Sequence, residues 1–302
     1  MTRRNCSELN CKDKDGNCSM PSSDGLPVQC VGTWVEDKFF FLERYLNASC
    51  EARRKFSDKG NAVFIDLFAG PGKCIIKGKE KEIDSGGIRA LNRNDASFNN
   101  YYYFDIMQAN VDALQQRIEK NFGVHIKCGD SNILVDDLVQ ELLKHHYRYH
   151  FAFIDPFSPQ ALKFDTLKRL AKLIRMDMLI NFPIGAIKRN LKTWMNRSDT
   201  ILDDFLGTGE WRQEIKESTR DNTFRVLIEI YKKQLISIGY PKEGLRAASS
   251  DNEIYSGLPT VSIRDTKDVD LYVLILASKH PLGQKIWNSS IKYSPDGQKG
   301  LF

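Results

Sequence analysis

Residues 61–68 (NAVFIDLF) form a nearly unbroken apolar run that carries an acid near its end, Asp66, and leads straight to Gly70 and Gly72. So short and so apolar a run reads as a strand buried on both faces, and such strands belong to parallel sheets covered by helices. The chain beyond keeps to that constraint. Helix and strand patterns alternate: helix over 85–93, strand over 101–106, helix over 108–121, strand over 124–128, helix over 134–145, strand over 150–154, helix over 164–174, strand over 177–182. This order predicts an α/β, Rossmann-like, doubly wound and mostly parallel sheet. Residues 185–240 read as a helical insertion, with Phe224, Leu227, Ile228 and Tyr231 on one face of a helix over 223–238. Two β-rich runs, 260–264 and 271–277, are joined by the polar stretch 265–270 and predict an antiparallel C-terminal hairpin.

Upstream, residues 34–56 read as one long helix with Phe41, Tyr45 and Leu46 on a shared face. Residues 1–33 are polar and Cys-rich without a regular period, and are expected to form an irregular extension to a domain spanning 34–302. No stretch reaches the roughly 18 apolar residues of a membrane span. The most apolar one, 176–187, is interrupted by Asp177, Asn181 and Pro183. The first residues lack the apolar core of a secretory signal, so a cytoplasmic protein without membrane contact is expected. A net charge of +5 permits a nucleic-acid partner without requiring one.

The loop Asp66-Leu67-Phe68-Ala69-Gly70-Pro71-Gly72 lies at the strand edge where open α/β sheets bind ligands. Its glycines let a ligand approach the backbone. A dinucleotide fingerprint needs a third glycine, but Ile75 stands there, and the lysine and hydroxyl of a Walker loop are also missing. The pattern instead resembles motif I of S-adenosylmethionine-dependent methyltransferases. That resemblance implies S-adenosylmethionine as cofactor, held by Asp66, Phe68, Ala69, Gly70, Pro71 and Gly72. Asp105 ends the next strand, where a carboxylate accepts hydrogen bonds from ribose hydroxyls. Its distance from the loop is long because residues 73–82 read as an inserted loop. Asp130, followed by Ser131, ends the third strand, where an acid in methyltransferases reaches the adenine amino group. Either aspartate alone also reads as a helix cap.

Residues 151–159 (FAFIDPFSP) place Asp155, Pro156 and Phe157 at the end of the fourth strand. The segment is similar to the Asp/Asn-Pro-Pro-Tyr/Phe motif of amino-group methyltransferases, with one proline fewer. The resemblance implies that Asp155 and the Pro156 carbonyl accept the hydrogens of an exocyclic amine, freeing its lone pair for attack on a sulfonium methyl, while Phe157 stacks on the base. A strand-end turn is the structural alternative. Cytosine-5 methyltransferases share a similar first motif, but they need a Pro-Cys nucleophile and the chain has no such dipeptide.

As a set, several segments resemble the three-Cys-motif partner protein family, a group of bacterial methyltransferase-like proteins. They are residues 24–27, Trp34, Lys38, Tyr45, 64–72, 85–91, 153–157, 179–182, Asp204, Phe205, Gly209, Trp211 and 274–287. The resemblance covers almost the whole chain. It implies a class I methyltransferase-like fold and a protein partner that itself carries three cysteines.

Three weaker signals remain. Cys6, Cys11, Cys18 and Cys30 read either as a zinc clip, more loosely spaced than usual, or as thiols of a tail. His145, His146 and His150 read as a solvated helix end. Lys163, Lys168, Arg169, Lys172 and Arg175, then Lys188, Arg189, Lys192 and Arg197, suit an RNA or DNA backbone or a plain solvated face. The reading preferred from the sequence is methyl transfer to an amino group of a nucleic-acid base. The alternatives are a non-catalytic module serving another enzyme through 185–240, and a methyltransferase for small molecules or proteins.

Overall fold

The computed structural model describes residues 11–13, 17–20, 22–79, 81–118, 123–219, 222–241, 260–264 and 269–293. Cys6 and the hairpin connection at 265–268 therefore lie outside the described residues. The chain divides into two compact units, the first chiefly Met1–Leu134 and Tyr147–Phe153, the second chiefly Val135–His146 and Ile154–Ser294.

The first unit contains β1 (Gln29–Val31), α1 (Val35–Ala48), α2 (Cys50–Ser57), β2 (Ala62–Asp66), β3 (Lys73–Ile76), β4 (Lys81–Asp84), α3 (Gly86–Leu91), β5 (Asn100–Asp105), α4 (Gln108–Arg117) and β6 (Val124–Cys128). α5 (Ser131–Leu143) follows, and β7 (Tyr149–Ile154) returns beside β2. All five residues of β2 are buried, as its apolar composition requires. On one face of the sheet the Phe64 ring lies 5.4 Å from Phe98 and 5.9 Å from Phe151.

The expected helix over 34–56 is two helices, because Ser49 leaves the helical conformation (φ −92°, ψ 1°). Arg53 explains the break. Its guanidinium is buried and must find acceptors. It donates to Ser49 Oγ at 3.0 Å, to Ala96 O at 2.7 Å and to Leu46 O, a carbonyl released at the helix end, at 3.1 Å. Residues 73–82, expected as a loop, are largely the antiparallel hairpin β3–β4, and β1 pairs in parallel with β3. The N-terminal stretch expected to be irregular thus supplies a strand. Only pairing with residues more than forty positions away makes it one.

The second unit contains a 3-10 turn (Pro159–Ala161), α6 (Phe164–Leu170), β8 (Met176–Phe182), α7 (Ile184–Met195), α8 (Ile201–Leu206), α9 (Trp211–Glu217), α10 (Thr223–Ser237), β9 (Thr260–Arg264), β10 (Asp270–Ser278) and α11 (Pro281–Ser290). β10 runs antiparallel to both β8 and β9, as the hairpin pattern predicts. Helices α7 to α10 fill the expected helical insertion. Every residue of β8 is buried, and each large apolar side chain there stabilises the fold by about 1.5–3 kcal/mol. Phe205 stacks on Tyr231 at 5.1 Å, and Phe164 and Phe182 meet the Tyr231 ring edge to face. Thr200 and Asp203 form a capping box at the start of α8.

The fold is a mixed α/β architecture, each unit contributing its own run of strands covered by helices. Strands β6-β5-β2-β7 of the first unit are mutually parallel, and β8-β10-β9 of the second are antiparallel. Among the described residues, no helix is long and apolar enough to cross a membrane.

Candidate functional site

The loop after β2 is shaped by its glycines and by a carboxylate from the next strand. Gly70 and Gly72 adopt φ of +61° and +90°, a region that disfavours side-chain-bearing residues. A Cβ on Gly72 would also stand 2.9 Å from Leu114 Cδ1. The Gly70 N–H donates to Asp105 Oδ2 at 2.9 Å. Asp105 Oδ1 accepts from Met107 N at 2.8 Å and from Asn110 Nδ2 at 3.0 Å. These three donors are neutral. Burial pushes the Asp105 carboxyl up, and the bonds from Met107, Asn110 and Gly70 oppose that without cancelling it. An ionised carboxylate offers about four acceptor positions, so capacity remains for a further donor such as a hydroxyl.

Other loop residues are held from within. Asp66 is 2% exposed and accepts from Phe68 N at 3.0 Å. Its carboxylate would lie 2.9 Å from a Cβ on Gly87, so only glycine lets α3 pack there. At this burial, the Asp66 carboxylate serves the loop backbone that it holds. Ala69 N donates to Phe104 O at 2.9 Å, and Gly72 O accepts from Ser85 N at 2.9 Å. Pro71 O accepts from Arg117, whose guanidinium also reaches Pro27 O at 2.7 Å, Ser22 Oγ at 2.7 Å and both oxygens of Asp24. The Arg117 hydrogen bonds hold the Asp24 carboxyl far below the usual range. Reading the sequence missed Arg117 and Asn110. The partners of Arg117, and Asn17 on Asn110, lie 46 to 95 positions away, and the five-residue step from Asn110 back to Asp105 crosses from helix to strand, so no sequence period reveals either.

Asp130 and Ser131 follow β6 as expected, but both are engaged in structure. Asp130 Oδ1 accepts from Asn132 N and Asn132 Nδ2, both at 2.8 Å, as a capping residue does at the start of α5. Ser131 Oγ donates to Leu67 O, tying α5 to the end of β2.

Asp155, Pro156 and Phe157 belong to the second unit. Asp155 is half-buried, Pro156 buried and Phe157 68% exposed, a large apolar ring presented to solvent. Asn181, fully buried near the end of β8, donates Nδ2 to Asp155 Oδ1 at 2.6 Å. That bond orients the carboxylate from an adjacent strand.

Of the four N-terminal cysteines, the structure gathers Cys11, Cys18 and Cys30, with all three sulfurs within 4.8 Å of one another. The three histidines do not cluster: His145 and His146 are exposed past α5, and His150 is buried in β7. Several basic side chains are neutralised. Lys163 pairs with Asp204 at 3.2 Å, and Arg169 pairs with Asp136 at 3.0 Å and Asp165 at 2.7 Å. Lys172, Arg189, Lys192 and Arg197 are exposed.

No family model matches the chain, and no curated protein matches it. Among solved structures it is similar to the CurJ carbon methyltransferase, at 15% identity and a TM-score of 0.36, covering 72% of this chain and 48% of that one. It is similar to the trans-methyltransferase CalH in complex with SAH, at 14% identity and a TM-score of 0.37, covering 78% and 58%. A third is an S-adenosylmethionine-dependent methyltransferase from Anabaena variabilis, at 7% identity and a TM-score of 0.30, covering 83% and 96%. The chain thus spans about half the length of CurJ and under two thirds of CalH. At TM-scores below 0.5 these overlaps carry no chemistry to this chain.

Proposed function

We propose that the chain is an S-adenosylmethionine-dependent methyltransferase acting on an amino group of a nucleic-acid base. The observation that carries this reading is the bond from Gly70 N–H to the Asp105 carboxylate, which joins a left-handed glycine loop to an acid ending the next strand. A nucleoside ligand requires this pairing of backbone cradle and hydroxyl acceptor. S-adenosylmethionine supplies an activated methyl group, so the protein's work is binding and orientation. Asp105 accepts ribose hydroxyls. Gly70 and Gly72 open the backbone to close approach. Asp130, through its second oxygen, serves the adenine amino group.

Asp155, aligned by Asn181, accepts the hydrogens of the substrate amine, and exposed Phe157 offers a face for stacking. Exposed Lys172, Arg189, Lys192 and Arg197 follow the phosphates. The resemblance to three-Cys-motif partner proteins adds a protein partner to this reading.

Calorimetric titration with S-adenosylmethionine and SAH tests the cofactor half, and labelled-methyl transfer to RNA and DNA tests the rest. Saturable binding is expected, with transfer that weakens as salt rises, because phosphate contacts release counterions. Asp155→Ala is expected to abolish transfer while leaving SAH affinity unchanged. Full activity in that variant overturns the assignment of Asp155. Absence of cofactor binding by folded protein overturns the methyltransferase reading itself.

A further inference from the structure

Between Cys11 and Val31 the chain offers little apolar material besides its cysteines: Met20, Leu26, Val28 and Val31. A segment with so small a core needs a staple to hold a defined shape. Yet it is shaped. Lys12 bridges Cys18 and Asn17 bridges Gln29, Cys18 N donates to Val28 O at 2.8 Å, and Ser19 N donates to Cys11 O at 2.7 Å. These bridges and hydrogen bonds bring three thiols to one point. Cys11, Cys18 and Cys30 are 3%, 8% and 1% exposed, with Val28 and Ile75 closing the cluster and Met20 against it. Cys11 Sγ and Cys30 Sγ are 3.2 Å apart, and no two of the three sulfurs are more than 4.8 Å apart. Thiolates sharing a tetrahedral zinc ion at about 2.3 Å stand roughly 3.8 Å from one another, inside that spread.

We infer that Cys11, Cys18 and Cys30 form a thiolate site for a zinc-class divalent cation, and that the bound ion fastens the N-terminal segment to the glycine loop. Three thiolates leave one tetrahedral position for a donor other than these cysteines. The ion binds as the thiol protons leave, so binding strengthens as pH rises.

The link to the loop is short on both sides of the cluster. Asn17, next to Cys18, donates Nδ2 to Asn110 Oδ1 at 3.1 Å, and Asn110 in turn donates to Asp105 at 3.0 Å. Cys30 lies on β1 in register with Ile75 on β3, the strand that leaves Gly72, and the Gln29 side chain lies beside Gly70. The segment between Cys18 and Cys30 is clamped to Pro71 by Arg117. The same ordered segment therefore holds the thiols, the Asp105 support and the loop backbone. This second half of the inference rests on the proposed cofactor reading; the metal site itself does not.

Metal analysis of the full chain purified under reducing conditions, followed by chelation and Co(II) replacement, tests the site. About one zinc per chain is expected, with intense thiolate-to-cobalt charge transfer. Both are expected to be lost in Cys11→Ser and Cys30→Ser. A folded wild-type chain that retains no metal and gives no cobalt charge transfer overturns the site and leaves three thiols packed as small apolar groups. A Cys11–Cys30 disulfide in that purified chain overturns it too. SAH titration of the same wild-type protein, loaded and then stripped, tests the link without any variant. Stripping is expected to weaken SAH binding by roughly tenfold, the penalty when about one chain in ten holds the loop in its competent form, and zinc is expected to restore it. Equal affinity in both states overturns the link and leaves the site standing. A zinc-loaded chain that never binds SAH overturns the cofactor reading, and the link with it, but not the site.

Discussion

Two half-buried aspartates, one in each unit, face opposite electrostatic fates. Asp105 accepts three hydrogen bonds from neutral donors, and burial still raises its pKa. Burial would raise Asp203 as well. There, however, Arg212 binds both oxygens, at 2.5 and 2.8 Å, Trp211 Nε1 donates at 2.7 Å and Thr200 donates from backbone and hydroxyl, so the carboxyl is held at about 2. The difference is a counter-charge. A carboxylate matched by a guanidinium is complete, and it fastens α8 to α9. A carboxylate supported only by amides carries an unanswered charge and spare acceptor capacity, which suits it to a ligand.

Removing each carboxylate separates structural from ligand-directed roles. Asp203→Ala strips the capping box and leaves Arg212, a side chain 16% exposed, without its partner. A loss of about 3 kcal/mol in stability is expected by denaturant melting, with SAH affinity little changed. Asp105→Asn keeps one acceptor but sets its amide NH2 against either Gly70 N–H or the Met107 and Asn110 donors, so it is expected to cost about 1–2 kcal/mol in stability, less than Asp203→Ala, while SAH affinity falls by about 1–3 kcal/mol. Equal stability losses in the two variants would erase the contrast. Gly72→Ala forces a side chain into φ of +90° against Leu114 and is expected to cost about 1–2 kcal/mol in stability.

The smallest effect is in pH. Asp203 has a depressed folded pKa, so its contribution is present above the unfolded value near 3.8 and is lost as pH falls through about 2. Asp105 has a raised folded pKa, so it disfavours the fold as pH rises from 3.8 through its raised value, while SAH affinity is expected to climb over that interval as the carboxylate ionises. Acid titration of stability and of SAH affinity distinguishes the two. An SAH affinity flat across the carboxylate range would remove Asp105 from the cofactor site.

Local pattern determined much of this protein. The strand boundaries at β6 and β9 match the sequence expectation, and those of β2, β5, β7 and β8 differ by a residue or two. The glycine loop and the strand-end acids were legible too. Apolar runs and turn residues act over a few positions, so they are written in adjacent letters. Thr200 and Asp203 were readable as a capping pair by the same rule and were overlooked.

Only the tertiary structure decided what depends on distant partners. The break at Ser49 follows from a buried Arg53 seeking carbonyls. β1 is a strand because β3 lies beside it. The Gly70–Asp105 bond spans 35 residues and the Asn181–Asp155 bond 26. Cys11, Cys18 and Cys30 converge because two isolated bridges fold the segment back onto β1. A hydrogen bond or a thiol cluster is satisfied by position in space, and the folded chain brings together residues whose separation in sequence carries no period to reveal it.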